Sequence, residues 1–316
     1  MKKLLFIYNP NSGKGQIKAK LAEILDIFVK AGYELTVYPT QAYMDAYKQV
    51  VAFSDDYSLL VCSGGDGTLD EVVSGMMKRK IRIPIGYIPT GTTNDFANSL
   101  RIPKNMLLAA ETAVHGATFH CDVGAFNKDT FVYIAAFGLF TDVSYQTKQE
   151  IKNVLGHLAY VLEGVKRLYS VPSFHIKVTH DDVVIEDEFV FGMVTNSRSV
   201  GGFRNMVGTN VVFDDGEFEV TLIKMPKNPL ELNEIVAALL IELIDTKHMY
   251  NFKSGKVMFE SEEEIPWTLD GEFGGEHKSI VIENKKQELQ IKVCPDKIKS
   301  LMKDPELYIE QKEDSI

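Results

Sequence analysis

The sequence predicts two folds in one chain: an N-terminal α/β domain on a doubly wound parallel sheet, then a C-terminal antiparallel β-sandwich domain. Three observations predict it. Over roughly the first 120 of the 316 residues, strand-like and helix-like segments alternate, the pattern of a parallel sheet with crossover helices. Beyond that point the segments become β-rich, with hydrophobic residues at alternate positions between Gly or Asp turns. Three glycine-rich connections follow three of the N-terminal strands, where doubly wound sheets bind their ligands. The expected boundaries are 1–120 and 121–294, with 295–316 returning to the first domain.

Taken in order, Lys3–Tyr8 reads as a buried strand. Ile17, Leu21, Ile24, Leu25 and Phe28 then recur at helical spacing, with Gly32 at the position of a C-cap. Tyr33–Tyr38 is a second strand, Met44–Phe53 a second helix, Ser58–Cys62 a third strand and Leu69–Met77 a third helix. Ile83–Ile88 makes a fourth strand, followed by a helix from about Asp95 and another over Leu107–His115. In the second half, strands are expected over Phe131–Phe137, Phe174–Thr179, Val183–Asn196, Val211–Ile223, Lys256–Phe259 and Ser279–Val293. Helices over Thr147–Leu168 and Leu230–Ile244 interrupt them, and a short helix at Asp296–Met302 precedes an acidic tail.

Composition narrows the function. The chain is 45% hydrophobic and 25% charged, an ordinary globular balance. Cys62, Cys121 and Cys294 are odd in number and far apart, which argues against a disulfide framework and for a reducing, cytoplasmic setting. The apolar start of the chain stops at Asn9-Pro10, too soon for a signal peptide, and no run of about 18 apolar residues spans a membrane. A net charge of −10 disfavours nucleic acid and leaves only a local basic patch for any anionic bilayer. No His/Cys cluster has metal spacing, and Ser12, Ser63 and Ser74 lack a nucleophile-elbow context.

The chemistry concentrates in the three connections. The first, Asn9-Pro10-Asn11-Ser12-Gly13-Lys14-Gly15, brings backbone N–H groups and a cation to a helix N-terminus, though without P-loop spacing; a plain structural turn is the competing reading. The second, Ser63-Gly64-Gly65-Asp66-Gly67-Thr68, enters a helix carrying Leu69, Asp70 and Glu71. Three permissive glycines exceed what a structural turn needs, whereas a phosphate cradle with Asp66 on Mg2+ uses them all. In the third, Pro89-Thr90-Gly91-Thr92-Thr93-Asn94-Asp95-Phe96-Ala97, Thr93 or Asn94 is a possible helix cap; Thr92 is placed to donate to a nucleotide phosphate and Asp95 to face an acceptor hydroxyl.

N-P-x-S-G-K, G-G-D-G-T-x-x-E-V-V and G-T-x-N-D-F-A together resemble the catalytic domain of diacylglycerol kinases, in particular the bacterial soluble diacylglycerol and multi-substrate lipid kinases. Asp214-Asp215-Gly216 and Leu269-Asp270-Gly271-Glu272 extend the resemblance into the β-rich half, while on local grounds alone each reads equally as a turn. It implies an ATP-dependent lipid kinase that phosphorylates the hydroxyl of diacylglycerol, its active site between two domains. It further implies that Asn9, Pro10, Asn11, Ser12, Gly13, Thr40, Gly65, Asp66, Gly67, Thr68, Leu69, Asp70, Glu71 and Thr92 surround ATP. Asp270 and Glu272 would then supply the acid–base function, joined by Asp95. One Mg2+ would accompany ATP, and a structural Mg2+ would lie on Asp215 with the main-chain carbonyls of Val212 and Glu217. Asp70 replaces the family's usual Asn, and Val200-Gly201-Gly202 and Gly208-Thr209-Asn210 depart from its pattern on the acceptor side.

The expected partners are ATP and a lipid at a membrane surface, reached peripherally from the cytoplasm, with a homodimer as the candidate assembly. The 147–168 helix reads either as a core-packing helix or as an interfacial one whose Lys148, Lys152, Lys166 and Arg167 meet anionic lipid. Two other functions compete: a kinase for a sphingoid lipid or NAD, and a non-catalytic nucleotide- or lipid-binding regulator.

Overall fold

The computed structural model describes residues 2–139, 141, 172–198, 211–228, 230–232, 234, 235, 238 and 247–303. The chain divides into two compact units: Met1–Val123 with Val212–Asp215 and Lys285–Ile316, and Gly124–Val211 with Gly216–Asn284.

The first unit starts with β1 (Lys2–Tyr8), whose Leu4, Leu5, Phe6 and Ile7 are all buried. Such an unbroken apolar run belongs to a parallel strand covered on both faces. A left-handed turn leads into α1 (Ile17–Lys30), which buries Ile17, Ile24 and Phe28 and ends before Gly32 at φ 86°. The order continues β2 (Tyr33–Pro39), α2 (Asp45–Ala52), β3 (Tyr57–Gly64), α3 (Asp66–Met77), β4 (Ile85–Pro89), α4 (Asp95–Ser99) and α5 (Met106–His115). β1 to β4 pair in parallel, in the order β4-β3-β1-β2. The carboxyl ends of β1, β3 and β4 are therefore adjacent, and all three glycine-rich connections emerge there. Asn105 caps α5 by accepting from the N–H groups of Leu107 and Leu108.

The second unit is antiparallel. After β5 (Ala117–Phe126) come β6 (Asp129–Phe131), β7 (Ile134–Gly138), β8 (Phe174–His180), β9 (Val183–Thr195), β10 (Phe218–Lys224), β11 (Met249–Ser254), β12 (Lys256–Leu269) and β13 (Glu272–Val293). β9 pairs with β8 along its first half and β7 along its second, and β12 does the same. The two long strands thus change partners midway, the bent arrangement of a β-sandwich. Its core is aromatic: Phe137, Phe126 and Phe259 lie 4.9, 5.2 and 5.1 Å from the buried ring of Trp267. Replacing such a ring by alanine costs about 3–5 kcal/mol.

Several elements differ from expectation. Val211–Ile223 is not one strand; residues 211–217 form bends around Asp214-Asp215-Gly216, and the strand begins at Phe218. The strands at 117–126 and 249–254 carry His120, Asp122 or Asn251 and Lys253 among apolar residues, which breaks a simple alternation. The terminal helix is a single 3-10 turn, Ile298–Ser300. The expected 147–168 helix with its four cations, the 200–202 and 208–210 stretches and the acidic tail lie outside the described residues, as does most of the Leu230–Ile244 helix.

Candidate active site

The three loops of the first unit hold one another by backbone contacts. Asn9 N–H donates to the Ser63 carbonyl at 2.8 Å, and Thr90 N–H to the Gly64 carbonyl at 2.8 Å. Thr40 joins from β2, its N–H donating to the Tyr8 carbonyl at 2.9 Å. In the first loop Gly13, Lys14 and Gly15 take φ of 55°, 61° and 72° in succession. A Cβ on Gly13 would lie 1.9 Å from the Thr90 carbonyl oxygen, so this position admits only glycine on both backbone and steric grounds. Gly13→Ala is expected to push the first and third loops apart. The check is a titration with Mg·ADP, where affinity should fall at least tenfold with a lowered melting temperature.

The second and third loops meet as closely. A Cβ on Gly91 would lie 2.6 Å from Gly65 Cα. Asn94, left-handed at φ 50°, closes the third loop on itself: its Oδ1 accepts from Gly91 N–H at 2.9 Å and its Nδ2 donates to the Gly91 carbonyl at 2.7 Å. The buried Tyr87 hydroxyl donates to the Gly64 carbonyl at 3.2 Å beneath them. No sequence signal marked Tyr87, since an aromatic inside a buried strand reads as core.

Asp66 sits at the centre. It is the first residue of α3, and its Oδ2 accepts from the Thr93 hydroxyl at 3.1 Å and from Asp95 N–H, at the start of α4, at 3.3 Å. Its Oδ1 is buried without a hydrogen-bond partner. Burial pushes its carboxyl above the ordinary value, opposed by the Thr93 hydroxyl and the α4 backbone N–H groups. A buried carboxylate oxygen with no donor fits a cation, which would complete the missing half of its coordination. Among the described residues no three His, Cys, Asp or Glu side chains gather into a ready-made metal cluster, so the remaining ligands would be phosphate oxygens and water, the usual arrangement for Mg2+.

The other expected nucleotide residues divide. Asn9 Oδ1 accepts from Asn11 N–H at 2.9 Å, and its Nδ2 lies 3.5 Å from the Thr68 hydroxyl. Pro10, Ser12 and Gly67 are half-buried, Asn11 and Thr92 exposed, and Thr68 and Leu69 buried. Asp70 faces along α3, 3.5 Å from the Ser74 hydroxyl. Glu71 is engaged elsewhere in the same unit: its two oxygens accept from Met44 N–H at 2.9 Å and Ala46 N–H at 3.0 Å, capping α2. Asp95 is buried at 3% exposure.

In the second unit, Asp270-Gly271 is the two-residue turn between β12 and β13, with φ of 49° and 90° and Leu269 paired to Glu272. These are the angles of a type I′ hairpin, which Asp-Gly favours. Asp270 is 4% exposed, and its carboxylate accepts from three consecutive N–H groups, those of Val132, Tyr133 and Ile134. Glu272, one residue past the turn, is exposed. Val212 and Asp215 belong to the first unit and Glu217 to the second; Asp214 is the buried member of that bend, with Oδ1 accepting from Lys303 N–H at 2.6 Å.

The diacylglycerol kinase catalytic domain model matches residues 3–126, and the YegS C-terminal NAD kinase beta sandwich-like domain model matches 136–299. The chain is 35% identical to a diacylglycerol kinase of Bacillus subtilis over 277 residues, covering 87% of this chain and 91% of that one. It is 34% identical to a diacylglycerol kinase of Staphylococcus carnosus, covering 92% and 94%. A crystal structure from Bacillus anthracis, of a protein assigned as a diacylglycerol kinase, aligns with a TM-score of 0.77 at 28% identity, over 93% of this chain and 96% of that one.

Proposed function

The chain belongs to the diacylglycerol kinase family and is an ATP-dependent lipid kinase, and on that premise we propose that it phosphorylates the free hydroxyl of diacylglycerol to give phosphatidic acid. A divalent metal accompanies the nucleotide in such kinases; we take it to be Mg2+. The observation that carries the site assignment is the buried, partnerless Oδ1 of Asp66 among three interlocked glycine loops.

On this reading the loop N–H groups at Ser12–Gly13 and Gly65–Thr68, with Thr92, receive the phosphates of ATP, and Asp66 holds the metal. When bound, the metal neutralises charge on the transferring phosphoryl group. The lipid hydroxyl oxygen attacks the γ-phosphorus, the bond to the bridging oxygen breaks in line, and ADP leaves. The hydroxyl proton passes to a carboxylate. We assign that role to Glu272 rather than Asp270. Both oxygens of Asp270 already accept backbone N–H groups, which suits it to fixing the turn, while Glu272 is exposed one residue further on. Asp215, with the main-chain carbonyls of Val212 and Glu217, is the proposed holder of a second, structural ion.

We place the encounter with lipid at the membrane surface, reached peripherally from the cytoplasmic side; no helix among the described residues is long and apolar enough to cross a membrane. Acceptor identity is tested by supplying diacylglycerol, ceramide, sphingosine and NAD together with ATP and Mg2+ and separating the products. NAD is included because the second domain model is NAD kinase-like. Phosphatidic acid is expected to dominate by at least tenfold; a dominant phosphorylated sphingoid or NADP would replace the acceptor and leave the mechanism.

A further inference from the structure

Phe273 is 66% exposed, the largest apolar side chain that the second unit turns outward among the described residues. It is the second residue of β13, one past Glu272 and two past the Asp270-Gly271 turn. A braced backbone holds it there. Asp270 pins the turn to the N–H groups of Val132, Tyr133 and Ile134, and Trp267, Thr268 and Leu269 pair with Phe137, Ala136 and Ala135 of β7. Phe273 itself pairs with Thr268, and Glu272 with Leu269. Successive residues of a strand face opposite ways, so Glu272 and Phe273 lie on the two faces of the hairpin tip. Gly271, Gly274 and Gly275 add no side chains around them, and nothing lies within 4 Å of the place a Cβ on Gly271 would take. The tip is a narrow wedge carrying one carboxylate and one phenyl ring.

A single exposed apolar residue is common on protein surfaces. This one is set apart by its place, next to the carboxylate assigned to take the acceptor's proton. The hydroxyl of a lipid with two acyl chains stays at the polar boundary of a bilayer, its chains in the hydrocarbon. For Glu272 to reach that hydroxyl the tip must enter the boundary, and Phe273 enters with it. A pocket for one acyl chain would meet one face of the hairpin, whereas a bilayer boundary surrounds the tip and meets both. Charge selects the kind of surface. The exposed charges over 271–278 are Glu272, Glu276 and Lys278, a net negative set, so anionic headgroups offer the tip no attraction. We propose that Phe273 is a membrane anchor, its ring inserted below the headgroups of a neutral lipid surface while Glu272 meets the acceptor hydroxyl. This rests on the reading that the acceptor is a bilayer lipid and Glu272 its base.

The test separates binding to a bilayer from chemistry on a dissolved acceptor. Wild-type protein, Phe273→Ala and Phe273→Trp are sedimented with phosphatidylcholine vesicles containing diacylglycerol, at low and high salt. The wild type should bind with little dependence on salt, and Phe273→Ala about tenfold more weakly at an unchanged melting temperature. In Phe273→Trp, the fluorescence added to that of the buried Trp267 should be quenched by brominated acyl chains. In the transfer assay Phe273→Ala should lose about tenfold on vesicle-borne diacylglycerol and stay within twofold of wild type on a short-chain diacylglycerol dissolved as monomer. Vesicle binding by Phe273→Ala equal to that of the wild type would overturn the proposal, as would a wild type that does not bind or a Phe273→Trp without quenching. Equal losses on the two forms of acceptor would also overturn it, marking a structural role beside Glu272. Failure of the acceptor reading looks different: the wild type then phosphorylates neither form of diacylglycerol, while vesicle binding still separates it from Phe273→Ala and the anchor stands.

Discussion

Asp66→Asn is expected to produce a more stable protein that no longer transfers phosphate. The two effects have one cause. Burial raises the Asp66 carboxyl above its ordinary value. The native state therefore binds its proton more tightly than the unfolded chain does. Between the ordinary and the raised value the native state carries more protons, so stability falls as pH rises through that window, and at neutral pH the buried charge opposes folding. Asparagine removes the charge while its oxygen still accepts from Thr93 and the α4 backbone. The melting temperature without ligand should rise, by about 2–4 °C for each kcal/mol relieved in a chain of this size. Turnover should fall about 100-fold or more, because the anionic ligand for the cation is gone. Scanning calorimetry with and without Mg·ADP checks both halves. Mg·ADP should stabilise the wild type strongly and the variant weakly. A destabilised variant that keeps its activity would remove Asp66 from the metal site.

The second large effect separates the two acids of the hairpin. Glu272→Gln should lower kcat about 10²–10⁴-fold, the worth of a positioned base, with melting temperature and ADP affinity unchanged because the side chain is exposed. Asp270→Asn should behave otherwise. Its amide would place a donor against one of the N–H groups of Val132, Tyr133 and Ile134, leaving buried donors unmatched at about 1–3 kcal/mol each. Asparagine tolerates the left-handed turn, so the loss lies in the hydrogen bonds and not in the backbone. The variant should melt lower and lose activity in proportion to its disordered turn. A Glu272→Gln protein with near-normal turnover, beside a well-folded but inactive Asp270→Asn protein, would transfer the proton-accepting role to Asp270.

The parts of the fold that follow local rules were legible. Leu4–Ile7 and Leu59–Cys62 are continuous apolar runs, and the helices after them show apolar residues at helical spacing. The type I′ turn at Asp270-Gly271 was legible as a turn. What escaped was decided by contacts distant in sequence. β13 begins at Glu272, seven residues before the expected Ser279, because pairing of Glu272, Phe273, Glu276 and His277 with β12 carries it across a glycine-containing stretch. Residues 211–217 look like a strand but bend, since the Asp214 carboxylate is drawn to Lys303 N–H, 89 positions away. At the site, glycine spacing located the three loops. It did not reveal that Glu71 faces the backbone of Met44 and Ala46, because a glutamate five residues into a helix carries no sign of what it faces. Nor did it mark Tyr87, whose hydroxyl props the second loop from below.

The most direct measurement follows the label from γ-labelled ATP in mixed micelles containing diacylglycerol and Mg2+, with wild-type and Asp66→Asn proteins side by side. Labelled phosphatidic acid is expected from the wild type and, at equal protein, about a hundredth of that or less from Asp66→Asn. Label that stays on ATP or appears only as free phosphate, from a wild-type protein shown to bind Mg·ADP, would contradict it.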